Sequence, residues 1–254
     1  MVTRVVQWTT GNVGKRSVRA VVAHPDFHLV GCYAWSPDKA GQDVGQLCGI
    51  DPIGVTATND VGALLALKPD CVVYNPMWHN TDEVVRILAA GSNVVSTAGF
   101  INGQALGGDR DRILDACRRG QSSMFGTGIS PGFVELAGID VAGICDRIDK
   151  ITINEGSDTT LYDSPETERP AGFGRPIDDP ELPAMAAKGT AVFGEAVAMV
   201  ADAIGVELDE IRCEAEYAQT TEDVVMESWT IPAAVSPVSP PAGRAAWATA
   251  QWSS

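Results

Sequence analysis

The strongest constraint on this chain lies in its first two dozen residues. Arg4-Val5-Val6-Gln7-Trp8-Thr9-Thr10 reads as a buried strand, because β-branched and apolar residues dominate it, and it ends in Gly11-Asn12-Val13-Gly14. Lys15 to Val22 then spaces its apolar residues as a helix does. A strand, a glycine turn and a helix in that order open a Rossmann βαβ unit, in which glycine lets the backbone approach a pyrophosphate and the helix N-terminus attracts its charge. The expected ligand is a dinucleotide. The spacing is G-x-x-G, with Ser17 at the third glycine position of the usual G-x-G-x-x-G, so the setting carries the inference more than the letters do. An ordinary strand-to-helix turn is the alternative.

The next residues keep the alternation of a doubly wound sheet. Strands are expected at Phe27 to Trp35, Val55 to Thr58, Cys71 to Tyr74 and Asn93 to Thr97. A short helix is expected from Asp43 to Cys48, a second capped by Asp60 and running to Leu67, and a third from Thr81 to Leu88, closed by Gly91. Short connections between alternating elements imply a parallel sheet with right-handed crossovers, and hence a ligand at the strand carboxyl ends. The second strand runs into Trp35-Ser36-Pro37-Asp38-Lys39 with no acid at its tip, where an NAD-selective fold commonly carries one for the ribose hydroxyl. Ser36 and Lys39 suit a 2′-phosphate, which favours NADP, with NAD the alternative.

With 254 residues and 45% hydrophobic content, the chain is long enough for one large or two modest domains with a sizeable core. A formal net charge of -15 and the lack of a Lys/Arg run argue against a nucleic-acid partner. Six cysteines are scattered without a C-x-x-C pair and read as reduced thiols of a cytoplasmic protein. Neither a cationic-then-apolar leader nor an apolar run of bilayer length is present, so no membrane partner is expected.

The second half is expected to be an α+β domain from residue 136 to 232, after a dinucleotide-binding domain of residues 1 to 135. Lys150-Ile151-Thr152-Ile153 reads as a strand, Tyr162 to Pro183 as a binding loop or lid with Phe173, Arg175 and Pro176 as a substrate cover, and Thr190 to Ile204 as an amphipathic helix ending at Gly205. Ile211 to Ala218 reads as a further strand. From Pro232 the chain turns to Pro, Ala and Ser, with Arg244 its one charge and no strand or helix periodicity. Residues 233 to 254 are thus expected to be an irregular tail, either read out of frame or a Pro/Ala-rich flexible segment, and the second domain is expected to be truncated.

Gly126-Thr127-Gly128-Ile129-Ser130-Pro131-Gly132-Phe133, together with Thr10 to Gly14 and Asn154-Glu155, resembles the 2,4-diaminopentanoate dehydrogenase and native amine dehydrogenase group. That group is part of the dihydrodipicolinate-reductase-like oxidoreductases, and the likeness is to its mycobacterial-type members. The resemblance implies a Rossmann domain joined to an α+β domain, a small-molecule substrate held over the nicotinamide, and a homodimer in the full-length form. Gly11, Asn12 and Val13 would cradle the pyrophosphate. Asn75, Pro76 and Thr97 would flank the nicotinamide, with Gly128 to Phe133 as a wall of the site.

The departures from the group matter too. A dihydrodipicolinate reductase carries a His-His pair followed by Lys near the start of its second domain, where this chain has Ile153-Asn154-Glu155-Gly156-Ser157-Asp158. The group's glutamate after the fifth strand is also missing, since Ala98-Gly99-Phe100-Ile101-Asn102 has no acid, and Ser130 stands where His or Asn is usual. Proton work is therefore expected from Asp158 and Tyr162, which follow the strand at 150 to 153, or from His79 just past the fourth strand. The expected activity is NAD(P)-dependent hydride transfer to a carbonyl or imine carbon. The alternative is a dinucleotide-binding protein without turnover.

Overall fold

A computed structural model describes residues 2–156, 158, 164–233 and 247–249 of the chain. It separates into two compact units, Met1–Gly132 and Phe133–Ser254.

In the first unit, strands β1 (Thr3–Trp8), β2 (Phe27–Tyr33), β3 (Ala57–Thr58), β4 (Cys71–Tyr74), β5 (Asn93–Ser96) and β6 (Met124–Gly126) make one sheet in the order β3-β2-β1-β4-β5-β6. Every neighbouring pair is parallel. This is the doubly wound order in which the chain reverses its direction of winding between β1 and β4, the place where such sheets open a crevice. Helices α1 (Asn12–Ala23), α2 (Val44–Leu47), α3 (Val61–Ala66), α4 (Thr81–Ala89) and α5 (Gly108–Gly120) supply the crossovers.

The period-two alternation of β1 divides the core between the two faces of the sheet. Val6 and Trp8 pack with Leu64 of α3, Ile87 and Leu88 of α4 and Ile113 of α5. Val5 packs with Val18 and Val21 of α1 and with Cys32. Side-chain caps start three of the helices: Asp43 on α2, Asp60 on α3 and Asn80 on α4 each accept from backbone N–H groups of the first turn, which satisfies donors that a helix leaves unpaired. At the carboxyl end of the sheet, Trp8 lies in register between Tyr33 and Tyr74. Its ring stacks on Tyr33 at 4.5 Å. Glu83 of α4 accepts from both Trp8 Nε1 (3.2 Å) and Tyr74 Oη (2.7 Å), so neither fully buried aromatic leaves a polar atom unpaired.

The second unit contains α6 (Val134–Ala142), α7 (Pro165–Glu168), α8 (Leu182–Gly189) and α9 (Ala191–Ile204). Two antiparallel pairs accompany them: β7 (Glu214–Glu216) with β10 (Trp247–Thr249), and β8 (Val224–Val225) with β9 (Thr230–Ile231). Helix α9 starts after Thr190 and closes on Gly205 in the left-handed region, as its sequence pattern demands. Among the described residues no single helix is long and apolar enough to cross a membrane.

Four expectations need correcting. Helix α1 starts at Asn12, so Asn12, Val13 and Gly14 form its first turn and only Gly11 lies outside it. Lys150 to Ile153 is not a strand, because no described segment pairs with it and alternation alone makes no ladder. The stretch from Tyr162 to Pro183, expected as a loop, carries α7, a 3-10 turn at Arg169–Ala171 and the start of α8. Prolines at the first turns of all three pieces initiate helix where their frequency suggested only a break. Within the stretch expected to be irregular, Trp247–Thr249 forms β10, since a backbone ladder needs a partner strand and no particular side-chain pattern.

Candidate dinucleotide site

The end of β1 and the start of α1 form one tightly specified turn. Thr9 takes a left-handed backbone (φ 72°), a conformation that costs a residue with a side chain about 1–3 kcal/mol and persists only where its surroundings hold it. Two contacts do so: Thr9 Oγ1 donates to the Asn75 carbonyl (2.9 Å) and Gln7 Nε2 donates to the Thr9 carbonyl (3.0 Å). A Cβ on Gly14 would lie 2.3 Å from that carbonyl, so the turn closes only with glycine at this position. A Cβ on Gly11 would meet nothing within 4 Å, and its φ of -72° suits any residue. Gly11 therefore faces open space that the protein's own packing does not need.

Gly11, Asn12 and Val13 are exposed, and no side chain caps the N-terminus of the twelve-residue α1. Uncapped N–H groups and the helix dipole together give an anion-attracting end. Just ahead of it, Thr10 is buried and its Oγ1 has no partner among the described residues. Lys39 Nζ reaches the Thr10 carbonyl at 3.5 Å, which brings the cation to this turn. Ser36 shares a turn with Lys39, whose N–H donates to the Ser36 carbonyl (3.0 Å). Trp35 projects beside them, 78% exposed.

A polar chain continues across the carboxyl ends of β1, β4 and β5. Gln7 Nε2 donates to Asn75 Oδ1 (2.9 Å), and Asn75 Nδ2 donates to Thr97 Oγ1 (2.9 Å). Each bond of this kind contributes about 1 kcal/mol, and the chain fixes the strand ends at Asn75, Pro76 and Thr97. Beyond β6, the Thr127 N–H donates to the Ser96 carbonyl (2.8 Å), which leaves Gly128 at the same end of the sheet.

The expected proton donors are more dispersed. His79 lies between β4 and α4, stacked on Phe100 (6.0 Å) and edge-on to Tyr74, with both ring nitrogens shielded from solvent. A depression of about 420 Å³ adjoins it, lined by Trp78, Thr81, Asp109 and Arg112 among others. Hydrogen bonds from Arg112 and Thr81 hold the Asp109 carboxyl below its usual range. Asp158 is exposed on irregular backbone, and Tyr162 lies outside the described residues. Of the residues singled out from the sequence, the structure thus gathers Gly11, Asn12, Val13, Lys39, Asn75 and Thr97 at one end of the sheet, with Ser36, Pro76 and Gly128 adjoining. Gln7, Thr9 and Glu83 were not foreseen. A polar Gln7 in an otherwise apolar strand was the one available signal.

Residues 5–106 match the family described as "Dihydrodipicolinate reductase, N-terminus". An amine dehydrogenase of Streptomyces virginiae is 37% identical over 223 residues, which cover 84% of this chain and 62% of that protein. A 4-hydroxy-tetrahydrodipicolinate reductase of Synechococcus elongatus is 34% identical over 115 residues, 39% of each chain. The chain thus spans about three fifths or less of the length of these relatives. Among solved structures, the amine dehydrogenase from Mycobacterium smegmatis matches with a TM-score of 0.72 over 91% of this chain and 71% of that one, at 19% identity, a likeness of fold.

Proposed function

From the premise that this chain is related to amine dehydrogenases and carries a dihydrodipicolinate-reductase-type N-terminal domain, we propose that it is an NAD(P)-dependent oxidoreductase acting on a small carbonyl or imine compound. One observation carries the reading: the uncapped N-terminus of α1, with open space at Gly11, stands at the winding reversal of a 3-2-1-4-5-6 sheet. A bound nicotinamide dinucleotide supplies the hydride chemistry. The N–H groups of the first turn of α1 receive the pyrophosphate, and the Thr10 hydroxyl gains there the partner it lacks among the described residues. The Gln7–Asn75–Thr97 chain holds the strand ends that border the nicotinamide.

Lys39 and Ser36 favour NADP over NAD, because a cation beside a hydroxyl-bearing turn matches a 2′-phosphate. Hydride addition to a C=O or C=N carbon needs one proton at the heteroatom. Asp158, Tyr162 and His79 are the side chains to which we assign it. The six free thiols suit a reducing cytoplasm, and exposed apolar side chains such as Val141 and Ile144 suit a homodimer.

The test follows NADPH consumption by the purified chain with a panel of small ketones, with and without ammonia. Turnover that needs ammonia identifies the imine, and turnover without it identifies the carbonyl. Lys39→Ala is expected to weaken NADPH about tenfold and leave NADH unchanged. Replacing the true proton donor lowers turnover and leaves the cofactor dissociation constant in place. Tight cofactor binding with no turnover on any ketone favours a binding protein without catalysis, a reading that the missing acid at residues 98 to 102 also supports.

A further inference from the structure

The second unit holds a cavity of about 470 Å³. Its walls come from the 3-10 turn Arg169–Ala171, the following Phe173–Arg175 segment, α8 and the β8–β9 hairpin. Phe173, Met185 and the Trp229 indole line it, with Arg169 and Arg175 as its charged residues, and no acid lines it among the described residues.

The two arginines are not equivalent. Arg175 is neutralised by Asp179 and Glu181, to which its Nε (2.6 Å) and Nη2 (2.7 Å) donate. Arg169 makes no ion pair among the described residues, and its guanidinium carbon lies 5.2 Å from the centroid of the Trp229 ring. Stacking on an aromatic face orients a guanidinium and leaves its edge donors available for a planar anion. Trp229 itself is only 9% exposed, and its Nε1 has no hydrogen-bond partner among the described residues, an uncommon condition for a buried indole. A buried donor without an acceptor and an exposed, oriented cation without a paired anion among the described residues thus meet at one ring. Phe173, Met185 and two prolines supply apolar wall, with Thr230 beside them.

We propose that this cavity binds an organic carboxylate, with the carboxylate held by Arg169 and the Trp229 Nε1–H and a hydrocarbon or aromatic body lying against Phe173 and Met185. The carboxylate's planar pair of oxygens matches the arginine fork, and a short apolar body fills the remaining space. This site is independent of the dinucleotide reading and stands or falls without it.

The indole N–H resonance of Trp229, identified by its loss in Trp229→Phe, reports on the site directly in the whole chain without cofactor. Titration with hexanoate is expected to shift it saturably, and 1-hexanol, which lacks the charge, is expected to bind about tenfold or more weakly. Arg169→Gln is expected to weaken hexanoate by a similar factor with the other indole signals unmoved. An unmoved resonance in hexanoate, an equal response to 1-hexanol, or a shift with inorganic phosphate alone would overturn the proposal. If Arg169→Gln does not fold, the contrast between hexanoate and 1-hexanol in the unaltered chain decides by itself.

Discussion

The two units bury different kinds of residue. The first fills both faces of one continuous sheet with Val, Leu, Ile, Trp and Tyr, and its buried polar side chains include Gln7, Thr10, Asn75 and Ser96 at the ligand end. The second buries mostly alanine (Ala142, Ala186, Ala196, Ala201), with Leu182, Val200 and Trp229 as its larger members. Among its described residues are also three buried carboxylates, Glu135, Glu168 and Glu195, each engaged with other groups. Since apolar burial contributes about 25 cal/mol per Å², large side chains on a sheet specify a fold more strongly than alanines between helices do. The first unit is therefore built to hold strain at Thr9, and the second to be more tolerant of change.

Paired glycine substitutions probe that contrast most strongly. Gly14→Val drives a side chain into the Thr9 carbonyl, and it is expected to cost at least about 3 kcal/mol in a urea titration. Gly194→Ala in α9 places its Cβ at an ordinary 3.5 Å from Ile211 and is expected to stabilise by about 0.5–1 kcal/mol. Comparable losses in both would show that the second unit is as tightly specified as the first. Next in size is Glu83→Ala, which leaves the Trp8 and Tyr74 donors unpaired and is expected to cost about 2–4 kcal/mol. Hydrogen exchange should place that loss in the amides of β1 and β4. A change spread evenly over the second unit would contradict the assignment.

How much was legible beforehand follows the same division. Strand β4, the Asp60 cap and α9 with its Gly205 stop were readable because local patterns and tertiary burial agree there. Helix α5 was missed: its run is dominated by Asp and Arg, and only Ile113 and Ala116 are buried. The acids at its first turn and arginines at its last, which complement the helix dipole, were the overlooked signal. The strand expected at residues 211 to 218 contracts to Glu214–Glu216, because its extent depends on β10, a partner that sequence alternation does not reveal. Within the candidate site, Gly11 and Lys39 were singled out from motif and topology, and Asn75 from the family resemblance. The left-handed Thr9 was not, since threonine has no preference for that conformation.

Alkali gives a smaller, graded test of the first unit. Burial pushes the Cys32 thiol from 9.0 up to about 12, and burial followed by the Glu83 hydrogen bond pushes Tyr74 up as well. Below pH 9 the Cys32 thiol is protonated in both folded and unfolded chains, and its full contribution is present. Between pH 9 and 12 the unfolded thiol has lost its proton while the folded one keeps it, so stability falls by about 1.4 kcal/mol per pH unit for this group. Cys32→Ala is expected to flatten the decline over that window. A slope unchanged by the substitution would mean that Cys32 is not desolvated as described.

If the first unit presents the N-terminus of α1 and the space at Gly11 to a dinucleotide, calorimetric titration of NADPH into the unaltered chain and into Gly11→Val will separate the two proteins. The backbone at Gly11 accepts valine and nothing lies within 4 Å of its Cβ, so the substitution should shift stability by no more than about 1 kcal/mol. The unaltered chain is expected to bind NADPH, and Gly11→Val, still folded, to bind it at least about tenfold more weakly, because the side chain occupies the pyrophosphate's place. Equal affinity in the two proteins, or no binding by the unaltered chain, would contradict it.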